Sequence, residues 1–374
     1  MTPLRRAAGS VSGRLPDFPW TKLDAARSQA ASHPGGIVDL SVGTPVDSTP
    51  TTVQEALRLA ADSPGYPLTA GSPLLRAAMV RWLRRSTGAE QVADEHVLPV
   101  VGSKELIASL ALHLGLGPGD TVLVPRLAYP TYEVGARLAG CTVAYGDPVD
   151  GDLDEGAPAP ALVWLNSPSN PTGRVLEVDH LRAVVAWARD RGALVVSDEC
   201  YLHCAWEALP VSVLDPAVCE GSYEGVLAVH SLSKRSNAAG YRCAMIAGDS
   251  GVVAELLAVR KNLGLQMPGP QQHAMAAALD DDASATEQHA VYARRRATLR
   301  TALEAAGLRV ERSEGSLYLW ATRDEPGWDT VAWMAQRGVL VAPGDFYGAA
   351  GVRFVRVAFT ATDERIEAAA RRLT

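Results

Sequence analysis

The chain has 374 residues, of which 35 are lysine or arginine and 42 are aspartate or glutamate, so its formal net charge is −7. This acidic balance argues against a protein that binds nucleic acid or an anionic membrane surface, because both would repel it. With 47% apolar residues, no apolar run of membrane-spanning length and no apolar stretch behind the arginines at the N-terminus, we expect a cytoplasmic globular protein without a signal peptide.

Two helices are predicted before the first strand. Thr52 and Glu55 match a capping box, which predicts a helix that begins there and continues to Ala61. Ser72 followed by Pro73 is typical of a second helix start, and this helix is predicted to end near residue 85.

Short apolar strands alternate with helices through the middle of the chain. The strands are rich in Val, Ile and Leu, which is typical of strands buried on both faces of a mostly parallel sheet. They are Val97–Val101, Thr121–Val124, Thr142–Tyr145, Ala161–Leu165, Ala193–Ser197, Val226–His230 and Cys243–Ala247. The helices between them are Ser103–Leu114, Tyr132–Ala139 and Asp179–Arg191, with Asp179 as the predicted N-cap of the last. This alternation predicts a doubly wound α/β fold.

The pattern changes in the last third of the chain. A long helix is predicted from Ser284, its N-cap, to the stop signal at Gly307. The elements predicted after it are Leu317–Ala321, a helix over Trp328–Arg337, Val339–Ala342, Arg353–Ala358 and a terminal helix from Thr362. We therefore expect a large domain over residues 46–264 and a smaller α+β domain over residues 265–374, with residues 1–45 packed on the small domain.

Polar and aromatic residues follow five of the predicted strands. In open α/β sheets, ligands bind beyond the carboxyl ends of the strands. The segments found there are Gly102-Ser103-Lys104, Pro125 to Pro130 with Tyr129, Asn166 to Gly173 with Asn170, Asp198 to Tyr201, and Ser231 to Lys234. Each has an ordinary structural explanation when taken alone, such as a helix cap, a turn or a core aromatic. Their convergence on one sheet edge favours a binding site.

Lys234 is the most informative of these residues. Lysine occurs at only four positions in the chain, 22, 104, 234 and 261, and only Lys234 follows the end of a buried strand with serines three and one positions before it. A lysine in desolvating surroundings can be neutral and react with an aldehyde. Arg242 follows eight positions later, and its guanidinium could bind a phosphate through two hydrogen bonds.

Pyridoxal 5'-phosphate is the ligand that fits these groups. Its aldehyde needs a lysine, its phosphate needs a helix N-terminus with hydroxyls and an arginine, and its ring nitrogen needs a carboxylate. Asn170 and Tyr201 are candidates to hold its phenolic oxygen, and Tyr129 is a candidate to stack on its ring.

The motifs Asn-Ser-Pro-Ser-Asn-Pro-Thr-Gly, Asp-Glu-Cys-Tyr, Ser-Leu-Ser-Lys and Gly-Tyr-Arg together resemble the class I/II aminotransferases of fold type I, over nearly the whole chain. The resemblance implies a mostly parallel seven-stranded sheet with helices on both faces, plus the smaller C-terminal domain. It makes Lys234, Asp198 and Tyr201 the catalytic residues: Lys234 would hold the cofactor and move a proton, and Asp198 would keep the ring nitrogen protonated. The cofactor contacts that it implies are Ser103, Lys104 (through backbone amides), Tyr129, Asn170, Asp198, Tyr201, Ser231, Ser233, Lys234 and Arg242.

The same resemblance assigns three further residues. Tyr66 would reach the cofactor phosphate of a neighbouring subunit, which implies a homodimer with shared sites. Arg356 would bind the α-carboxylate of the substrate, together with Asn170 and the backbone of Gly43. Without the family, Arg356 would be an ordinary arginine in an arginine-rich chain.

A closer resemblance is to the actinobacterial succinyldiaminopimelate transaminases, which exchange an amino group between glutamate and N-succinyl-2-amino-6-oxopimelate. The segments that carry it are Leu15 to Trp20, Val38 to Val46, Ala128 to Val134, Lys261 to Leu265 and Val341 to Gly348. Two positions depart from the wider family: Ala244 stands where a glycine is common, and Ser167 where an asparagine is common. Neither carries a group assigned to the chemistry.

Several alternatives stay open at this point. The motifs do not distinguish a succinyldiaminopimelate transaminase from an aspartate, aromatic or kynurenine-type aminotransferase, or from a C–S β-lyase. They also do not show whether Arg14 or the region around Lys261–Leu265 binds the distal part of the substrate.

Three interpretations from other classes are less favoured. A regulatory protein that binds the cofactor without turnover is disfavoured by the acidic charge. Gly115 to Gly119 follow a helix rather than a strand, so a turn is expected there instead of a dinucleotide site. We expect reduced cysteines and no metal, since His203 with Cys200 and Cys204 is only a weak ligand pattern.

Overall fold

The structure is a computed structural model that describes residues 11–374, apart from the side chain of Arg14. Arg14 as a reader of the distal substrate group therefore lies outside the described residues. Within this range, none of the helices combines the length and the apolarity that a bilayer crossing requires. All five cysteines are free thiols, as expected.

A sheet of seven strands forms the centre of the described chain. In spatial order its strands are β2 (Val97–Val101), β8 (Cys243–Gly248), β7 (Val226–Ser231), β6 (Leu194–Asp198), β5 (Leu162–Asn166), β3 (Thr121–Val124) and β4 (Thr142–Tyr145). β8 runs antiparallel to both of its neighbours, and the remaining pairs are parallel. The mostly parallel seven-stranded sheet is therefore confirmed.

Helices cover both faces of this sheet. Successive strand residues point to opposite sides, and because both sets are apolar, each face packs against helices. Val163 and Val195 face one core, to which α3 (Pro73–Thr87), α6 (Val178–Arg189), α7 (Pro216–Cys219) and α10 (Gly269–Asp280) contribute. Trp164 and Val196 face the other, shared with α4 (Ser103–His113), α5 (Thr131–Ala139) and α9 (Ser250–Leu263). The helix α2 (Thr51–Leu59) packs on α10, and the single-turn helix α8 (Leu232–Arg235) follows β7 directly.

The C-terminal part has its own antiparallel sheet and core. The sheet has the order β12 (Ala342–Pro343), β13 (Val355–Ala358), β10 (Tyr318–Thr322) and β9 (Arg309–Glu311). It shares a core with α11 (Asp282–Ala305), α12 (Gly327–Gln336) and α13 (Asp363–Leu373). The N-terminal helix α1 (Asp24–Ala31) packs beside α12, and β1 (Val38–Asp39) pairs in parallel with β11 (Val339–Leu340). Within the described residues, α1 and β1 therefore contact the C-terminal part, while the division into domains stays a prediction.

Three predicted helix caps are wrong. The hydroxyl of Thr52 caps nothing and instead donates to the Asp281 carboxylate at 2.5 Å. Asp179 lies inside α6, whose N-cap is Glu177 without a side-chain cap. Ser284 lies inside α11, and its backbone N–H donates to Asp281, which is the true cap. In each case the helix begins earlier than predicted: α2 and α6 start after Pro50 and Glu177, which provide no side-chain cap, and α11 starts after the capping residue Asp281.

Other elements were displaced or missed. The predicted strand Val339–Ala342 splits into β11 and β12, which belong to different sheets. The helices α1, α9 and α10 were not delimited from the sequence. All three matter for the site, since α1 borders it and α9 and α10 close the faces of the large sheet.

Candidate active site

A cavity of about 510 Å³ lies where β5, β6 and β7 end, between the large sheet and the C-terminal part. Most of the residues singled out from the sequence line it together. They are Gly43, Ser103, Lys104, Tyr129, Asn170, Asp198, Tyr201, Ser233, Lys234, Arg242 and Arg356. Ser231 is buried directly behind Ser233, to which its hydroxyl donates at 2.9 Å.

Lys234 reaches the cavity because the chain turns at once after β7. Ser231 is the N-cap of α8, and its Oγ accepts a hydrogen bond from the backbone N–H of Ser233. This single turn directs Lys234 inward, and its Nζ lies 5.7 Å from the centre of the Tyr201 ring. The lysine is partly buried, so its amine faces the cavity rather than bulk solvent.

Asp198 ends β6 and is held from three sides. Its Oδ2 accepts a hydrogen bond from the Tyr132 hydroxyl at 2.8 Å, and its Oδ1 accepts one from the backbone N–H of Cys200. The side-chain amide of Asn166 donates to its backbone carbonyl at 2.8 Å. Burial, together with the neighbouring Asp198 carboxylate, raises the pKa of Tyr132 well above its usual range. The phenol therefore stays protonated and remains a donor to Asp198.

The start of α4 has the features of an anion-binding position. Gly102, just before the helix, has a positive φ of 87°, and a Cβ atom there would collide with the guanidinium of Arg242. Glycine is therefore needed at position 102 for the guanidinium to approach the N-terminus of α4. An exposed helix N-terminus with an adjacent arginine and the hydroxyls of Ser103 and Ser233 is a suitable place for a phosphate.

Arg356 is a buried cation with one edge still unpaired. It extends from β13, is only 2% exposed, and donates through Nη1 to Asn170 Oδ1 at 2.8 Å and through Nη2 to the Ser41 carbonyl at 2.7 Å. Its Nε is buried and has no hydrogen-bond partner among the described residues. A buried guanidinium with an unpaired donor is well suited to bind a carboxylate.

Tyr318 packs on this arginine and explains Gly43. The Arg356 guanidinium lies 3.9 Å from the centre of the Tyr318 ring, and the Tyr318 hydroxyl is 2.9 Å from that of Tyr201. A Cβ atom on Gly43 would collide with the Tyr318 phenol, so only glycine lets the backbone approach this closely. Burial and the Tyr318 hydroxyl raise the pKa of Tyr201 well above its usual range, which keeps Tyr201 a hydrogen-bond donor.

One predicted site residue is not brought to the cavity. Tyr66 is 97% exposed and does not line it. Its contact with the site of a neighbouring subunit stays a prediction.

Several residues in the cavity wall, and Tyr132 behind it, were missed by the sequence analysis. Tyr132, Asn166 and Tyr318 hold other site residues, while Phe18, Trp20 and Arg27 border the cavity from the N-terminal segment. Tyr132 and Asn166 stand inside motifs that were recognised, so their position was a usable signal. Phe18 and Trp20 also lie in a segment quoted for the family resemblance, Leu15 to Trp20, whereas no local pattern marked Arg27 or Tyr318 as site residues.

The residues present fit pyridoxal phosphate. The cavity holds an inward lysine, a carboxylate with its own donors, and a helix N-terminus with an adjacent arginine that only a glycine admits. The two competing interpretations, a dinucleotide site at Gly115 to Gly119 and a metal site at His203, have no comparable geometry. Gly115 to Gly119 form the turn between α4 and β3, and in the described part of the chain His203 belongs to no group of three potential metal ligands but packs against Trp82.

Comparison with known proteins decides the family. The model for "Aminotransferase class I and II" matches residues 36–373. The chain belongs to this family. It is therefore an aminotransferase of fold type I, and pyridoxal phosphate is its cofactor.

The relatives of this aminotransferase carry different names. A probable aminotransferase of Mycobacterium tuberculosis is 59% identical over 368 residues, which are 98% of this chain and 87% of the relative. A 4-dedimethylamino-4-oxo-anhydrotetracycline transaminase of Streptomyces rimosus is 59% identical over 360 residues, covering 96% of this chain and 99% of the relative. A solved structure of a probable N-succinyldiaminopimelate aminotransferase from Thermus thermophilus has a TM-score of 0.83 at 27% identity, covering 95% of this chain and 98% of the other.

Proposed function

We propose that this aminotransferase moves an amino group from L-glutamate to a keto acid with further carboxylates far from its carbonyl. The favoured acceptor is N-succinyl-2-amino-6-oxopimelate, which would make the protein a succinyldiaminopimelate transaminase of lysine and diaminopimelate synthesis. The observation that carries the proposal is the positive charge of the cavity. Beside Lys234, it is lined by four cationic side chains: Arg27, Lys104, Arg242 and Arg356.

The cofactor phosphate and the substrate α-carboxylate account for only two of these cations. Arg242 lies at the N-terminus of α4 and is assigned to the phosphate, and Arg356 is assigned to the α-carboxylate. Lys104 and Arg27 remain for further negative groups of the substrate. The resemblance of five chain segments to succinyldiaminopimelate transaminases and the name of the Thermus structure agree with an acceptor of this charge.

The chemistry can be assigned residue by residue. When bound, pyridoxal phosphate supplies an aldehyde for the amino group and a ring that accepts electrons when the Cα–H bond breaks. Lys234 would take the proton released at Cα and deliver it to the C4′ atom of the cofactor, and it would move a proton in the opposite direction when the keto acid is aminated. Asp198 presents a carboxylate to the ring nitrogen, and Tyr132 and Cys200 keep that carboxylate in position. Arg356 with Asn170 fixes the α-carboxylate, which orients the Cα–H bond toward Lys234.

The remaining cofactor contacts complete the site. Tyr201 and Asn170 would hold the phenolic oxygen and Tyr129 would stack on the ring. Ser231, Ser233 and the start of α4 with Ser103 and Lys104 would hold the phosphate. The three hydroxyls and the two backbone amides provide donors in addition to Arg242.

We assign Tyr66 to the phosphate site of a second subunit in a homodimer. Its 97% exposure in one chain agrees with a side chain that is covered only on assembly. A mixing experiment tests this: Lys234→Ala and Tyr66→Phe are prepared separately and then combined under conditions that exchange subunits. If Tyr66 acts across the interface, one site of each hybrid dimer has both native residues, and activity rises above the sum of the two preparations. Activity equal to that sum would contradict the assignment.

A second candidate follows from the Streptomyces relative at 59% identity. Its name describes transamination of a 4-oxo-anhydrotetracycline, and the aromatic residues Phe18, Trp20 and Tyr129 could stack on a large polycyclic ketone. Such a substrate would rely on the aromatic border of the cavity rather than on its positive charge.

An acceptor panel separates these functions. The purified enzyme is supplied with L-glutamate and, in turn, N-succinyl-2-amino-6-oxopimelate, oxaloacetate, phenylpyruvate or a 4-oxo-anhydrotetracycline, and 2-oxoglutarate release is measured. We expect the highest kcat/KM with the succinylated acceptor. A higher value with any other acceptor would contradict the proposal, as would pyruvate formation from a cysteine conjugate without an acceptor.

A further inference from the structure

Arg27 is the one cavity cation supplied by the N-terminal segment of the described chain. It lies on α1, its side chain is 44% exposed, and it lines the cavity together with Phe18 and Trp20. A half-exposed arginine beside a binding cavity is reachable by a substrate and is still partly shielded from water. It occupies neither the phosphate site nor the α-carboxylate site.

The guanidinium of Arg27 is oriented but not saturated. Its Nη1 donates to Asp39 Oδ2 at 2.7 Å, and Asp39 is its one hydrogen-bond partner among the described residues. A guanidinium has five N–H donors in a planar fork, so most of them stay available. Asp39 therefore fixes one edge of the fork and leaves another for a planar anion such as a carboxylate.

Asp39 also links Arg27 to the α-carboxylate site. Its other oxygen, Oδ1, accepts hydrogen bonds from the backbone N–H and the hydroxyl of Ser41, at 2.9 and 2.6 Å. The Ser41 carbonyl accepts the hydrogen bond of Arg356 Nη2. A continuous chain of contacts thus runs from Arg27 through Asp39 and Ser41 to Arg356. Both guanidinium groups line the same cavity.

We infer that Arg27 binds the distal carboxylate of a dicarboxylic substrate, and that Asp39 positions both Arg27 and the α-carboxylate site. The inference rests on the proposed function, because it requires a substrate with a second negative group. The competing cation is Lys104, whose Nζ lies 5.8 Å from the Phe18 ring centre and 5.9 Å from that of Tyr129. Arg27 is preferred because Asp39 holds it in place and because a guanidinium can bind a carboxylate through two parallel hydrogen bonds.

The test compares two amino acids that differ at the distal end. L-2-Aminoadipate ends in a carboxylate, whereas L-norleucine has the same number of carbons and ends in a methyl group. Each is added to holoenzyme without an acceptor, and kcat/KM for the half-reaction is measured from the cofactor absorbance. The variants are Arg27→Met, Arg27→Lys and Lys104→Met, with Arg58→Met on the surface of α2 as the matched control.

We expect Arg27→Met to lower kcat/KM for aminoadipate by about 10- to 100-fold, the loss of a charged hydrogen-bond pair, with most of the change in KM. Norleucine should change by less than about threefold, Arg27→Lys should restore part of the loss, and Arg58→Met should match the wild type. Asp39→Asn should raise KM for both substrates and leave kcat nearly constant.

Each of the other outcomes would contradict a particular part of the inference. Equal losses of kcat/KM for aminoadipate and norleucine in Arg27→Met would show that Arg27 has a structural role. An unchanged preference for aminoadipate over norleucine would show that Arg27 does not bind the distal carboxylate. Loss of the preference in Lys104→Met alone would assign the distal group to Lys104. A wild-type enzyme with no preference for aminoadipate would overturn the proposed function and the inference together.

Discussion

The hydrogen bond between Tyr132 and Asp198 gives the sharpest test of how the site is held. The Tyr132 hydroxyl donates to Asp198 Oδ2 at 2.8 Å in a fully buried contact, and its ring stacks on Trp164 with centroids 4.8 Å apart. Tyr132→Phe removes the hydroxyl and keeps the ring, so packing is nearly unchanged. Asp198 then loses the Tyr132 hydrogen bond and keeps the one from the backbone N–H of Cys200.

The magnitude follows from the kind of bond that is lost. A buried hydrogen bond to a charged group is worth about 1.5–3 kcal/mol. Part of this loss falls on the fold and part on the alignment of Asp198 with the ring nitrogen of the cofactor. If the alignment carries most of it, kcat should fall by roughly 10- to 100-fold. KM for glutamate should change little, because Arg356 and Asn170 are not in contact with Tyr132.

The assay is steady-state transamination with glutamate, alongside thermal unfolding of the same samples. Tyr145→Phe is the matched control, since Tyr145 is a half-buried tyrosine that does not line the cavity. A Tyr132→Phe enzyme with wild-type kcat would refute the claim that this contact positions Asp198. A large rise in KM with constant kcat would show that the residue acts on substrate binding instead.

Three further predictions address other parts of the site. Lys234→Ala should lose nearly all turnover while still binding the cofactor through the phosphate site, and turnover without an added amine would contradict the role of Lys234. Gly43→Ala places a methyl group against the buried Tyr318 phenol, and such overpacking costs about 1–3 kcal/mol. KM for glutamate should therefore rise at least about tenfold and Tm should fall. Unchanged KM and Tm would contradict the close approach of the Gly43 backbone to Tyr318. Burial raises the pKa of Glu199 from its usual 4.5 to about 7, so the folded state keeps a proton that the unfolded chain has released between these values. Relative to Glu199→Gln, the free energy of unfolding of the wild type should therefore fall by up to about 1.4 kcal/mol per pH unit as pH rises through this window, and then level off. Urea unfolding at pH 5 and pH 8 measures this difference. The same change in both proteins would contradict a buried protonated carboxyl at Glu199.

The cofactor side of the site could be predicted from the sequence because it depends on local order. Asp198 ends β6 and Lys234 lies three residues beyond the end of β7, and the carboxyl ends of neighbouring parallel strands meet at one edge. The residue after each strand is therefore placed by the strand itself. The strands themselves were predicted almost to the residue, because each is a short continuous run of apolar residues.

The substrate side could not be predicted in this way. Arg356 and Asn170 are 186 positions apart, and only the packing of two sheets brings them together. Tyr318 comes from an antiparallel strand and Arg27 from a helix that the sequence pattern did not delimit. Asn170 was marked by the motif at the end of its strand, but nothing in the neighbourhood of Tyr318 or Arg27 distinguishes them from ordinary core or surface positions, and Arg356 was identified only through the family resemblance.

The most direct test of the account is the visible absorption spectrum of the purified holoenzyme, before and after L-glutamate is added without an acceptor. The account predicts a band of the lysine-bound cofactor that disappears with glutamate and returns when a keto acid with a distal carboxylate is added. Lys234→Ala should lack this response. A band that ignores glutamate would contradict glutamate as the donor, and no band even after cofactor is added would contradict the assignment of the whole site.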